Sequence, residues 1–140
     1  IDIPNPINEY GKSKLLGEQY IQKTMNNFFI VRTSWLYSKK YGENFYKSIV
    51  AKAKKGEDLS VTIEQTGCPT DAVNLVYYIF DLIIPKKTNF GIHHFCDYQV
   101  MTWYDFAKEI LSENKLNNKT NLVKASKYIT FARRPKYSVL

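Results

Sequence analysis

The stretch whose reading decides the fold is Phe28-Phe29-Ile30-Val31-Arg32-Thr33-Ser34-Trp35-Leu36-Tyr37. It is apolar and β-branched at its start and turns polar afterwards, the pattern of a buried parallel strand that opens into a loop. A strand ending there presents Ser34 to Tyr37 at its carboxyl edge. Upstream, Pro4 and Pro6 hold an extended lead-in, and Tyr10 to about Met25, rich in Lys, Leu, Glu and Gln, predicts a helix with Leu16 and Tyr20 on one face. Downstream, Asn44 can cap a helix with Phe45, Ile49 and Ala53 on one stripe, and Gly56 can end it. Leu59 to Ile63 reads as a short strand. Glu64 to Thr70 is turn chemistry feeding a helix with apolar positions Val73, Val76, Tyr77, Phe80 and Ile84, stopped by Pro85. Gly91 to Cys96 reads as a third strand, and Thr102 with Asp105 opens a last helix through a short-acid capping box. Strand and helix alternate throughout, which argues an α/β fold with parallel strands.

With 140 residues the chain fits one domain of ordinary size, or a piece of something larger. A hydrophobic share of 44% against 24% charged residues excludes disorder, because enough apolar surface can be buried to offset the entropy of folding. The longest nearly apolar run, Val76 to Ile84, contains Asp81 and falls well short of the ~20 residues of a membrane helix. The first residues have no Met, no basic start and no apolar stretch of a signal peptide, so the expectation is a chain whose front belongs to a longer protein. Cys68 and Cys96 are too few for a disulfide scaffold and lack paired zinc spacing, which predicts a reducing, cytoplasmic setting. His93 and His94 lie nearby, but adjacent residues on an extended segment point to opposite faces and would not converge on one metal ion.

The net charge of +7 is a property of the tail: acidic and basic residues balance up to Asn114, and every titratable side chain from Lys115 through Lys136 that carries charge is basic. These charges are dispersed and no RNA- or DNA-binding module surrounds them, so no nucleic-acid partner is expected. They read as a solvated surface, or as a local site for a phosphorylated small ligand at Arg133 and Arg134, whose guanidinium forks suit phosphate oxygens.

Tyr10 and Lys14 stand four apart on the first helix, so both project from one face. An ammonium near a phenol favours the phenolate and makes the tyrosine a usable proton donor or acceptor. The spacing alone is weak evidence: with this many Tyr and Lys, chance supplies roughly one such pair, and Tyr104 with Lys108 forms another.

Context separates the two pairs. The run Pro6-Ile7-Asn8-Glu9-Tyr10-Gly11-Lys12-Ser13-Lys14-Leu15-Leu16-Gly17-Glu18 resembles the active-site helix of extended short-chain dehydrogenases/reductases, with Tyr-Gly-x-Ser-Lys followed by Gly-Glu. Arg32 to Tyr37, Asn44-Phe45, Gln65-x-Gly67-x-Pro69-Thr70, Gly91-Ile92-x-His94, Trp103-Tyr104-x-Phe106-Ala107 and Arg134-Pro135-x-x-Ser138-x-Leu140 then follow in the order seen in dTDP-4-dehydrorhamnose reductases. The resemblance covers nearly the whole chain. It implies hydride transfer from NADPH or NADH to the C4 ketone of dTDP-4-dehydro-L-rhamnose, giving dTDP-L-rhamnose for surface polysaccharides. It implies Tyr10 as proton donor, and Lys14 as the residue that tunes Tyr10 and hydrogen-bonds the nicotinamide ribose, a role its three donors suit. Trp35 would line the sugar pocket and cover the apolar side of a deoxysugar. Gln65, Thr70 and Arg134 would serve the nucleotide-sugar side, with fixing a turn or a surface as the competing reading of each. Tyr104 and Lys108 would serve packing.

No Gly-x-x-Gly-x-x-Gly loop leads into a helix, so the cradle for a dinucleotide pyrophosphate is absent from the sequence. The expectation is therefore the carboxyl-terminal part of a Rossmann-like doubly wound parallel sheet with a small α/β substrate-binding lobe, its partner the missing amino-terminal Rossmann half. Residues 1–40 would carry the end of the dinucleotide-binding sheet and the Tyr-x-x-x-Lys helix, and residues 41–140 mainly the substrate lobe. A homodimer rests on the resemblance alone. Two other functions stay open: a non-catalytic regulatory subunit of this fold, and another nucleotide-sugar reductase or epimerase with the same Tyr and Lys.

Overall fold

The structure is a computed structural model that describes residues 3–84, 89–125 and 131–140. Helix α1 (Glu9–Thr24) begins where the Asn8 side chain accepts the Gly11 amide at 2.8 Å, satisfying one of the donors that a helix start leaves unpaired. None of its residues is buried. It is tied to strand β1 (Phe29–Arg32) by a forked ion pair, with Arg32 Nε 3.0 Å from Glu18 Oε1 and Nη2 2.6 Å from Oε2.

The polar loop expected after this strand contains a second, short strand. After β1 the chain breaks at Trp35, whose φ of 44° lies in the left-handed region that an indole-bearing residue seldom adopts, and resumes as β2 (Leu36–Tyr37). Side-chain bonds take over at the break. The Ser34 hydroxyl donates to the Ser138 carbonyl at 2.9 Å, and the Ser34 carbonyl accepts from Thr70 Oγ1 at 2.7 Å. Each half then has its own partner. β1 pairs in parallel with β6 (Gly91–His94), and β2 in parallel with β5 (Thr70–Asp71).

The core forms around helix α2 (Phe45–Lys54), strand β3 (Leu59–Thr62) and helix α4 (Trp103–Glu113). Asn44 caps α2 by accepting the Lys47 amide at 3.2 Å, and Gly56 follows its end with φ +73°, a conformation glycine adopts without a Cβ penalty. The capping box expected at Thr102 and Asp105 is present in both directions. Tyr46, Ile49 and Ala53 of α2 meet Phe106, Ala107, Ile110 and Leu111 of α4 over Leu59 and Val61.

Three further differences have physical causes. The turn over 64–70 contains β4 (Thr66–Gly67) as well as the start of β5, because loop carbonyls and amides there find ladder partners in distant segments. β4 lies between β7 (Met101–Thr102), antiparallel to it, and β9 (Tyr137–Ser138), parallel to it. The basic tail is more than a solvated surface, since β8 (Leu122–Ala125) pairs in parallel with β3 while its Lys124 points outward. Helix α3 (Ala72–Ile83) forms as its spacing predicts, with Asp71 as N-cap, but Val73, Val76, Tyr77 and Phe80 remain about half exposed or more and Leu82 is its buried residue. Pro85, read as its stop, lies outside the described residues. Among the described residues no helix is long and apolar enough to cross a membrane.

Candidate active site

Tyr10 sits in the first turn of α1 with 72% of its surface exposed. Together with Asn8, Phe131, Arg133 and Arg134 it lines a cleft of about 690 Å³. The Asn8 amide donates to the Arg133 carbonyl at 2.9 Å and so pins the tail segment beside the start of α1. Lys14 follows one turn on, its Nζ 5.6 Å from the centroid of the Tyr10 ring, within cation–π range. The two residues that the spacing singled out are therefore neighbours in space. The other Tyr–Lys pair is not a second site: Tyr104 packs against the core, and Lys124, rather than Lys108, lies over its ring at 5.3 Å.

A second cleft, of about 400 Å³, is walled by Phe45, Lys52, Asp58, Gln65, Trp103 and Arg134. Arg134 borders both clefts, the one that contains Tyr10 and the one with the aromatic wall. Gln65 enters this wall through its side chain, whose Oε1 accepts the Trp103 indole N–H at 3.1 Å.

Trp35 and Thr70 are both held by their neighbours. Trp35 borders neither cleft; its ring stacks on Trp103 at 3.7 Å with planes 8° apart, and Gly67 packs against the Cε2, Nε1 and Cζ2 atoms of that ring. A Cβ on Gly67 would come within 2.4 Å of Trp35 Cε2, so only glycine permits this approach. Thr70 is fully buried, and its hydroxyl is committed on both sides, donating to the Ser34 carbonyl and accepting from Thr33 Oγ1 at 2.9 Å. Thr70 fixes the loop that carries Trp35, whose own carbonyl accepts the Thr70 amide at 3.2 Å. Phe45 and Trp103 are the wall residues that sequence reasoning missed as such. Their signal was the aromatic at the first position of each capped helix, directly after Asn44 and Thr102.

Around the site, burial pushes the Tyr37 phenol well above its ordinary range, helped by the hydrogen bond it makes to Tyr98 Oη at 3.3 Å. Burial likewise pushes the Cys96 thiol up, with Cys68 as its neighbour; both cysteines are free. His93 turns its Nε2 to the Asn89 carbonyl at 2.9 Å, and among the described residues no group of three or more His, Cys, Asp or Glu could hold a metal ion.

Parallel strand pairs joined through helices, with an exposed Tyr-x-x-x-Lys helix at the mouth of a cleft, are the features of the extended short-chain dehydrogenase/reductase fold. Within that class the chain belongs to the family of the RmlD substrate binding domain, which matches residues 1–140. It is 35% identical to the dTDP-4-dehydrorhamnose reductase of Escherichia coli (strain K12), over 99% of this chain and 49% of that protein. It is also 35% identical to the spore coat polysaccharide biosynthesis protein SpsK of Bacillus subtilis (strain 168), over 97% and 47%. A crystal structure of the Bacillus anthracis dTDP-4-dehydrorhamnose reductase in complex with NADP superposes with a TM-score of 0.89 at 41% identity, over 99% of this chain and 48% of that one. UDP-glucose 4-epimerase of Thermotoga maritima shares the fold at a TM-score of 0.74 with 17% identity. The chain thus spans about half the length of the curated relatives it matches.

The residues present fit one end of a nicotinamide dinucleotide. Tyr10 and Lys14 offer a phenol and an ammonium on one exposed helix face, suited to ribose hydroxyls. The pyrophosphate end is not matched, since none of the six glycines of the sequence belongs to a glycine-rich turn leading into a helix.

Proposed function

We propose that this chain is the substrate-binding half of a cytoplasmic NADPH- or NADH-dependent reductase that converts dTDP-4-dehydro-L-rhamnose to dTDP-L-rhamnose, the remaining Rossmann half completing the cofactor site. The observation that carries the proposal is Arg134 bordering two clefts at once, one containing Tyr10 and the other walled by Phe45, Gln65 and Trp103. A nucleotide sugar has the corresponding parts: a reacting sugar for the Tyr10 side, a diphosphate for the guanidinium fork and a planar base for aromatic walls. The chemistry a bound nicotinamide supplies is hydride donation. Tyr10 Oη, exposed at the cleft, delivers the proton to the alkoxide oxygen at C4, and Lys14 steadies the phenolate left behind. Gln65 and Arg134 orient the nucleotide, while Trp35 and Thr70 hold the wall in place. β6 pairs with β1, so residues 91–94 belong with residues 1–40 as the edge of the dinucleotide-binding sheet, and the substrate lobe is the remainder. A homodimer is part of the same proposal, with light scattering of the complete enzyme as its check.

A relative named dTDP-4-keto-6-deoxy-D-glucose reductase, from Streptomyces niveus, is 35% identical over 76% of this chain, which favours a reductase of a different dTDP-ketosugar as the second reading. One experiment separates them. The chain replaces the matching half of the Bacillus anthracis reductase, and the chimera is given NADPH with each ketosugar in turn. Formation of dTDP-L-rhamnose supports the first reading. Turnover confined to another dTDP-ketosugar supports the second, and a folded chimera inert on both ends the reductase assignment.

A further inference from the structure

We propose that Cys68 and Cys96 form an oxidation site, at which hydrogen peroxide converts the two thiols into a reversible disulfide that fastens the end of β6 to the loop between β4 and β5. The inference lies outside the function proposed above and does not rest on it. Nothing in the spacing of the two cysteines pairs them; the fold does. Cys68 follows β4 directly and is 3% exposed, Cys96 lies two residues beyond β6 and is half-buried, and neither is in a disulfide. Their thiols are hydrogen-bond neighbours. The backbone holds them together as well. The Tyr98 amide donates to the Pro69 carbonyl at 3.3 Å and the Asp71 amide to Asp97 Oδ2 at 2.6 Å, so residues just beyond each cysteine are already joined. Both segments are also tied to the end of β1 and the residues after it, the Cys68 amide donating to Ser34 Oγ at 3.4 Å and the Phe95 amide to the Arg32 carbonyl at 3.0 Å.

The order of the steps follows exposure. Cys96, the more exposed of the two, meets the peroxide first: its thiolate attacks one oxygen, the O–O bond breaks, hydroxide leaves and Cys96 becomes a sulfenic acid. The Cys68 thiolate then attacks the Cys96 sulfur, the S–S bond forms as the S–O bond breaks, and a second hydroxide leaves. The protons of the two thiols turn the two hydroxides into water, so two thiols are oxidised and one peroxide is reduced. Burial and the neighbouring Cys68 push the Cys96 thiol up, which keeps it protonated at neutral pH and suits the site to sustained rather than brief exposure. A resolving thiol already in contact protects the sulfenic acid from further oxidation.

Strand β5, helix α3 and strand β6 all lie between the two cysteines in the sequence, and α3 has Leu82 as its buried residue. The bridge therefore closes the neck of a segment that packing holds loosely, and closing it removes freedom from the unfolded chain. It also fastens the loop in which Gly67 packs against the Trp35 ring and Thr70 bonds the carbonyls of Ser34 and Trp35.

The experiment treats the folded chain with hydrogen peroxide in modest excess, alkylates the remaining thiols in denaturant and maps the products by mass spectrometry after digestion. The expected product is a monomer that has lost two hydrogens, with Cys68 and Cys96 cross-linked, and dithiothreitol restores both thiols. Its Tm should exceed that of the reduced chain by about 5–15 °C. Cys68→Ala should show neither the cross-link nor the rise in Tm, and should leave Cys96 as a sulfenic acid that dimedone traps. Should Cys68→Ala fail to fold, the wild-type measurements decide alone. Disulfide-linked dimers overturn the inference, as does Cys96 carried to the sulfinic acid while Cys68 stays reduced. Thiols left untouched in the folded chain, under conditions that oxidise the chain unfolded in urea, overturn it too. A cross-linked monomer whose Tm is unchanged or lower also refutes it, since the bridge would then fasten nothing.

Discussion

Thr70→Val tests whether Thr70 holds the site together or binds the ligand. The two side chains have nearly the same shape, so the change leaves no cavity and removes only the hydroxyl. That hydroxyl donates to the Ser34 carbonyl at 2.7 Å and accepts from Thr33 at 2.9 Å, in a residue with no exposed surface. Ser34 is itself 6% exposed, so its carbonyl loses this donor where water has poor access, at a cost of about 1–3 kcal/mol. The Thr33 hydroxyl is half-buried and can turn towards water, which limits its share to about 1 kcal/mol. The expected loss is about 2–4 kcal/mol, or roughly 8–16 °C in Tm at ~4 °C per kcal/mol for a domain of this size. Thr70→Ser keeps the hydroxyl and loses one methyl group, for about 1 kcal/mol. Urea unfolding of the three chains, fitted with a common slope, measures both differences. The hydrogen-bond reasoning fails if Thr70→Val is as stable as the wild type or more stable than Thr70→Ser. A folded Thr70→Val chain should also keep its dTDP affinity within about twofold, because the hydroxyl faces Ser34 and Thr33 and no cleft.

Further outcomes are expected. In the chimera with the Bacillus anthracis half, Tyr10→Phe should lower turnover by roughly 10²-fold or more with folding intact, while Tyr104→Phe leaves chemistry nearly unchanged; retained turnover in Tyr10→Phe would remove Tyr10 as the proton donor. Tyr37 is held neutral in the fold well above the range of an unfolded tyrosine, so its contribution is fully present below pH ~10 and is lost as pH rises beyond it, at about 1.4 kcal/mol per unit. The difference in unfolding free energy between wild type and Tyr37→Phe should therefore shrink by about 1 kcal/mol from pH 10 to 11 and approach that slope above it, and a flat difference would show that burial does not hold the phenol neutral. The chain by itself should not bind NADPH at micromolar concentration, because the one or two hydrogen bonds that Tyr10 and Lys14 can offer are worth about 1 kcal/mol each against the ~8 kcal/mol required. Saturable micromolar binding in calorimetry would demand a pyrophosphate site among these residues.

What the sequence disclosed follows the range of the forces involved. Helices α2 and α4 were legible because Asn44 and the Thr102–Asp105 box are local signals that cap the very residues beside them. The pairing of Tyr10 with Lys14 was legible for the same reason, one helical turn being a local geometry. The short strand β2 beyond Trp35 was not, because it depends on Thr70 and Asp71, far along the chain, as its ladder partners. Strand β8 was hidden by Lys124 within it and β9 by its two-residue length, and their partners in β3 and β4 are equally remote. The stack of Trp35 on Trp103 required knowing that Gly67 packs against the Trp35 ring, which no spacing along the sequence encodes.

The mooring of α1 sets how still Tyr10 can be. The helix that carries Tyr10 buries none of its residues; it is fastened by the Glu18–Arg32 fork midway and by the Asn8 bond to the Arg133 carbonyl at its head. Unlike the α2–α4 contact, neither fastening gains from the aversion of apolar surface to water, and the ion pair weakens in strong salt. Amide exchange along α1 should then run ahead of exchange along α4 and quicken as ionic strength rises, with the amplitude of the Tyr10 hydroxyl's wandering rising in step. Ionic strength would act as a focus control on this cleft, sharpening or blurring the distance between Tyr10 and Arg134 while the aromatic wall stays fixed.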